Sequence, residues 1–119
     1  MIARAMTLAL AAASSLAIAA PWEPGDRLLK GTYQVYGGEL GDMTLPTRQD
    51  QKVSFMFTGQ FARNLYDQIG PNVKDACGAS PTHSERQRGD LSCTRDGKAY
   101  TCYLGLNIVT GKSMPGAIC

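Results

Sequence analysis

The chain has 119 residues, 44% hydrophobic and 18% charged, with 12 Lys and Arg against 10 Asp and Glu and a formal net charge of +2. So even a balance argues against a strongly basic nucleic-acid binder, and the length allows a single core of modest size. Beyond the N-terminus no stretch is apolar over the roughly 20 residues that a membrane-spanning helix requires.

The N-terminus has the layout of a secretory signal. Arg4 precedes an uninterrupted run of apolar and small residues over 7–20, ending in Ala17-Ile18-Ala19. This run is shorter than a membrane span, and its small residues suit a signal peptidase. Cleavage is expected before Ala20, because cutting after Ala20 would leave Pro21 directly behind the scissile bond. Residues 1–19 are thus read as a cleavable leader and 20–119 as one small domain. No cysteine lies near the cleavage point, so no lipid anchor is expected.

The segment 21–25, Pro-Trp-Glu-Pro-Gly, can hold neither a helix nor a central strand, and reads as an extended lead-in with Trp22 free to pack on the domain. A short first strand is expected over 31–36, where β-branched and aromatic residues end at Gly37-Gly38. A loop rich in turn-forming residues should follow to about Gln51. Over 52–58 the sequence alternates cleanly, with Val53, Phe55 and Phe57 on one face, which predicts a half-buried strand. Thr58 can then cap a helix whose apolar residues Phe61, Leu65, Tyr66 and Ile69 recur at helical spacing, stopped by Gly70-Pro71.

The polar stretch 78–89 reads as a long surface loop. After it a β-meander is expected over 90–95, 99–109 and 114–118, with turns at 96–98 and 110–113. Along its middle strand Tyr100, Cys102, Leu104, Leu106 and Ile108 share a face and are the expected core, while Tyr103 and Asn107 point outward. These elements predict an α+β class: a small antiparallel sheet with a C-terminal meander and one helix packed on it, stapled by disulfides.

Four cysteines, Cys77, Cys93, Cys102 and Cys119, allow three pairings. If the first hairpin is centred between Gly97 and Lys98, Cys93 lies opposite Cys102. If the second is centred between Thr110 and Gly111, Cys102 lies opposite Cys119. In either case Cys93 and Cys119 sit on outer strands about two strand spacings apart, too far to bridge. Of the remaining two maps, Cys93–Cys102 with Cys77–Cys119 is slightly preferred. Zinc and redox chemistry both favour a C-x₂-C spacing that is absent, so no metal or other cofactor is expected.

Other motifs carry little weight. Gly105 to Ser113 approaches a phosphate-binding loop, but has five residues between its glycines where the motif has four, and it lies in an expected hairpin. His83, the one histidine, sits beside Ser84 and Glu85 with no activating context around either. Glu85, Asp90 and Asp96 fall at loops and strand ends, where acidic residues are ordinary. Arg88-Gly89-Asp90 matches an integrin-recognition tripeptide that is too short to decide anything. Arg86, Arg88, Arg95 and Lys98 form a local basic cluster diluted by those three acids, a candidate for attracting an anionic partner. The residues singled out for binding are Arg86, Arg88, Lys98 and Tyr103.

The stretch Asp96-Gly-Lys-Ala-Tyr100 resembles the Ser-Gly-x-x-Tyr signature of periplasmic inhibitors of c-type lysozyme, with Asp96 in place of the serine. That resemblance implies an inhibitory role and an all-β barrel, and the helix predicted over 60–69 does not fit such a barrel. The residues themselves lead to the expectation of a periplasmic or secreted, non-enzymatic binding protein, such as an inhibitor or immunity-type protein. Its partner would be another exported protein or an anionic envelope polymer, with no nucleic acid involved. The alternatives are a small secreted hydrolase or toxin using His83, and a structural component of the cell envelope.

Overall fold

A computed structural model describes residues 22–119. The expected leader and its expected cleavage point lie outside the described residues. The first strand, β1 (Gly31–Glu39), is followed by β2 (Asp42–Thr44), β3 (Lys52–Thr58), α1 (Gly59–Gln68), β4 (His83–Arg88), β5 (Leu91–Asp96), β6 (Ala99–Asn107) and β7 (Ser113–Met114). All pairings are antiparallel, in the order β2-β1-β3-β6-β5-β4, with β7 on β6. The class is α+β, as the periodicity indicated.

Two local patterns translate directly. The 52–58 alternation becomes β3, whose Val53 is buried and whose Phe55 and Phe57 stack with centroids 6.0 Å apart. The helical stripe becomes α1, which packs across β6, β5 and β3 through Ala62, Leu65, Tyr66 and Ile69. Thr58 occupies the N-cap in an extended conformation, but its side chain makes no capping hydrogen bond, contrary to expectation. The core lies between α1 and the centre of the sheet, where Ala62, Tyr66, Ile69, Cys93 and Cys102 are buried with Phe57, Leu65, Leu91 and Tyr100 around them.

The β5–β6 hairpin closes through Gly97-Lys98, with Asp96 opposite Ala99 and Gly97 at φ +60°. A positive φ at the first central position lets a two-residue turn follow the twist of its strands, and glycine adopts it without steric cost. This register places Cys93 opposite Cys102, three steps from the closing pair. That is a non-hydrogen-bonded position, where facing residues approach most closely, and their Cα atoms are 4.0 Å apart. The second bridge joins Cys77 to Cys119. The preferred map is the one observed.

Several expectations need correction. The 37–51 segment is no simple loop: β1 runs on to Glu39 and turns into β2. Residues 83–88 form β4, although 78–89 is polar, because an edge strand with one solvated side needs no hydrophobic alternation. The last strand is only Ser113–Met114, and its register, Leu106 opposite Ser113, is shifted by two residues from the one expected. Cys102 therefore has no strand partner at Cys119. Beyond Met114 the tail leaves the ladder and crosses the face away from α1, where Ser54 Oγ donates to Gly116 O at 2.6 Å. A Cβ at Gly116 would sit 2.5 Å from Leu104 N, so only glycine permits this approach. Ile108 lies past the end of β6 and is exposed, and Trp22 does not pack on the domain.

Candidate functional site

Strand alternation sorts the residues of β4 and β5 by charge. Arg86 opposes Cys93 and Ser84 opposes Arg95, and Cys93 faces the helix, so Ser84, Arg86, Arg88 and Arg95 project to the α1 side. Glu85, Gln87 and Asp96 take the opposite parity and project to the side crossed by the tail. A cluster that is diluted along the chain is therefore divided in space, with the guanidinium groups on one face and two of the three carboxylates on the other.

On the α1 side the arginines gather around an aromatic pair. Tyr66 from α1 and Tyr100 from β6 meet edge to face, with centroids 5.3 Å apart. The Arg86 guanidinium lies 4.1 Å from the Tyr66 centroid, and those of Arg63 and Arg95 lie 5.6 and 5.7 Å from that of Tyr100. Rings attract cations to their faces, and stacking holds long side chains that would otherwise sample many rotamers. Arg86 is fixed further, its Nε donating to Asn72 Oδ1 (2.9 Å) and its Nη1 to Tyr66 O (2.9 Å). Tyr66 Oη shares a short hydrogen bond with Ser84 Oγ.

Between these groups lies an open hollow of about 380 Å³, lined among others by Tyr66, Asn72, Ser80, Ser84, Arg86 and Arg95. Its lining contains hydroxyls, an amide, two guanidinium groups and His83, and no carboxylate among the described residues. Next to it, Arg63, Lys98 and Tyr100 border a second shallow hollow with Gln60 and Thr101. Asp67 approaches Arg63 at 3.9 Å, an exposed pair of small energetic weight.

The residues singled out from the sequence do not form one site. Arg86 enters the hollow. Lys98 sits in the β5–β6 turn beside the second hollow, and Arg88 is at the far end of β4, next to the Gly89-Asp90 turn. Tyr103 lies on the other face, where it lines the troughs on either side of the tail. His83 borders the same hollow as Ser84 and Arg86, but as a strand neighbour of Ser84 it directs its side chain the other way, and its ring lies beside Gly78. Arg63, Tyr66, Asn72 and Ser84 were not singled out. The available signal was the i, i+3 spacing of Arg63 and Tyr66 on a helix, which predicts a shared face without saying which strand residues meet it.

No group of three or more His, Cys, Asp and Glu side chains among the described residues is arranged to hold a metal ion. No described helix is long and apolar enough to cross a membrane. Comparison with protein families, with curated proteins and with solved structures finds nothing that matches this chain. The five residues that resemble the lysozyme-inhibitor signature form the β5–β6 turn of an open sheet carrying a helix, where that family would place a closed barrel.

Proposed function

We propose that this chain is an exported, non-enzymatic binding protein whose contact surface is the cationic face built by α1, β4 and β5. It holds anionic groups, either acidic side chains of another exported protein or the charged groups of an envelope polymer. The observation that carries this reading is the sorting of Arg86 and Arg95 into one hollow free of carboxylates, with Glu85 and Asp96 turned to the other side. Prefixed guanidinium groups favour binding because little side-chain entropy remains to be lost on contact. An inhibitor or immunity-type protein would use such a face to enter a complementary acidic cleft. Two disulfides and the leader-like N-terminus support periplasmic or secreted residence, since such bridges persist in oxidising compartments.

The test is an NMR titration with inorganic phosphate and with a polyglutamate peptide. Backbone shifts should concentrate at Ser84, Arg95 and Gly97, weaken with added salt, and fall at least fivefold in apparent affinity in Arg95→Gln. Glu85→Gln, on the opposite face, should leave the affinity unchanged. Shifts that are absent, spread over both faces or indifferent to Arg95→Gln would remove the proposal.

A further inference from the structure

The two edges of the sheet are treated differently. At the β4 edge Asn72 bridges to Arg86, Val73 N–H donates to Glu85 O at 2.8 Å, and the strand carries Glu85, Arg86 and Arg88. Covering and charging an edge are two ways a chain prevents strand addition. At the other edge β2 pairs with β1 only over Gly37–Glu39. The stretch 31–35 of β1 is exposed along its whole length and contains no charged residue and no proline.

The backbone direction of this open edge follows from the pairing. Thr58 N–H donates to Lys30 O at 3.0 Å, which makes Lys30 and Thr58 a hydrogen-bonded pair and turns the even-numbered residues of β1 toward β3. The odd-numbered residues point the other way, as Gly37 and Glu39 do toward β2. The outward backbone groups are therefore those of Gly31, Tyr33 and Val35, and Tyr33 is the midpoint of the open segment.

We infer that β1 pairs with β1 of a second copy, antiparallel, about a two-fold axis normal to the sheet and passing between the two Tyr33 residues. An isologous contact sets like against like at its centre, so any central charge would repel its own copy. This edge has none. The register is constrained as well. Facing residues must share a side of the sheet, and their outward groups must meet, which requires odd residues opposite odd ones. Centring on Tyr33 engages Gly31, Tyr33 and Val35 of both copies and sets Gly31 opposite Val35. Centring on Gln34 or Val35 would drive the strand into β2 of its partner.

The apolar surface is placed to support this pairing. Tyr33 is 72% exposed and Leu28 fully so, and Leu29 and Val35 near it along the chain and Leu45 just past β2 are also exposed. In the antiparallel register the arm before Gly31 leaves beside Tyr36 of the other copy, bringing Leu28 and Leu29 toward its Leu45. An aromatic ring such as Tyr33 can bury on the order of 150 Å². A specific contact draws about 600–1,000 Å² from each partner, so a short strand edge must bury these side chains as well as its backbone to approach that size. The dimer is accordingly expected to dissociate in the micromolar range.

Sedimentation equilibrium of the purified protein over about 1–500 µM tests this, with an expected rise from the mass of one chain to that of two. Tyr33→Lys and Tyr33→Glu should each raise the dissociation constant at least tenfold, with unchanged far-UV circular dichroism. A mixture of the two variants should restore dimers, because only then do opposite charges face at the axis. In the unmodified protein, hydrogen exchange at the Tyr33 and Val35 amides should slow as concentration rises, whereas Thr32 and Gln34, bonded to β3, should not change. A monomer throughout the range, or a dimer indifferent to Tyr33→Lys, overturns the inference. Protection of Tyr33 and Val35 only by an extended peptide of another sequence also overturns it, in favour of a foreign strand.

Discussion

The Cys77–Cys119 bridge closes a loop with a sequence separation of 42 residues and ties the last residue of the chain to the segment between α1 and β4. In the chain-entropy treatment, replacing both cysteines with serine releases that constraint from the unfolded state and costs about 4 kcal/mol, against about 2.5 kcal/mol for the nine-residue separation of Cys93–Cys102. The tail adds little burial of its own, since Ile118 is exposed and its polar anchor is the Ser54–Gly116 hydrogen bond. The loss should therefore be mainly entropic and close to the loop value. For a domain of this size 4 kcal/mol corresponds to a fall in Tm of roughly 15–30 °C. Urea unfolding of the Cys77→Ser/Cys119→Ser variant, followed by circular dichroism, should show a lower midpoint and a steeper m-value, because the uncross-linked unfolded chain exposes more surface. A loss below about 1 kcal/mol with an unchanged m-value would refute the claim that this bridge acts through the unfolded state.

Gly116→Ala should destabilise the protein by about 1–3 kcal/mol, because its Cβ would meet the Leu104 backbone, and the NMR signals of Ser54 should shift as its acceptor is displaced; unchanged urea midpoints would contradict the close approach. Tyr36 is buried and its hydroxyl finds no hydrogen-bond partner among the described residues, so Tyr36→Phe should raise stability by about 1 kcal/mol, read as a higher urea midpoint. The Lys52 ammonium, which lies 2.8 Å from Asp50, together with the Gly38 N–H, holds the Asp50 carboxyl below its ordinary range. A depressed carboxylate contributes stability at neutral pH that is lost as pH falls through about 4 and below. Asp50→Asn should flatten that part of the stability curve between pH 2 and 6, and an unaltered acid limb would show that the pair is not linked to folding.

Local sequence patterns determined α1, β3 and the β5–β6 hairpin, because each is specified within about ten consecutive residues. Apolar residues recur at period 3.6 in the helix and at period 2 in the strand, and of the turns that the sequence allows, the one centred between Gly97 and Lys98 is adopted and brings Cys93 to Cys102. Strand β4 was not legible, since its polar residues carry no core-facing period, and its strand character comes from pairing with β5 and from the cover of Asn72 and Val73. The tail likewise escaped, because its path is set by contact with the backbone of β6 and by a bond to Cys77, both remote in sequence. The candidate site belongs to the same category. Charges counted along the chain cancel, and only the pairing of β4 with β5 under α1 separates Arg86 and Arg95 from Glu85 and Asp96. The sequence by itself marked α1, β3 and the β5–β6 hairpin as regular and made Cys93–Cys102 the preferred pairing. Tertiary structure decided which face each charge occupies, because that depends on segment 83–88 pairing as a strand with β5 beneath α1, contacts that are remote in sequence or carry no local period.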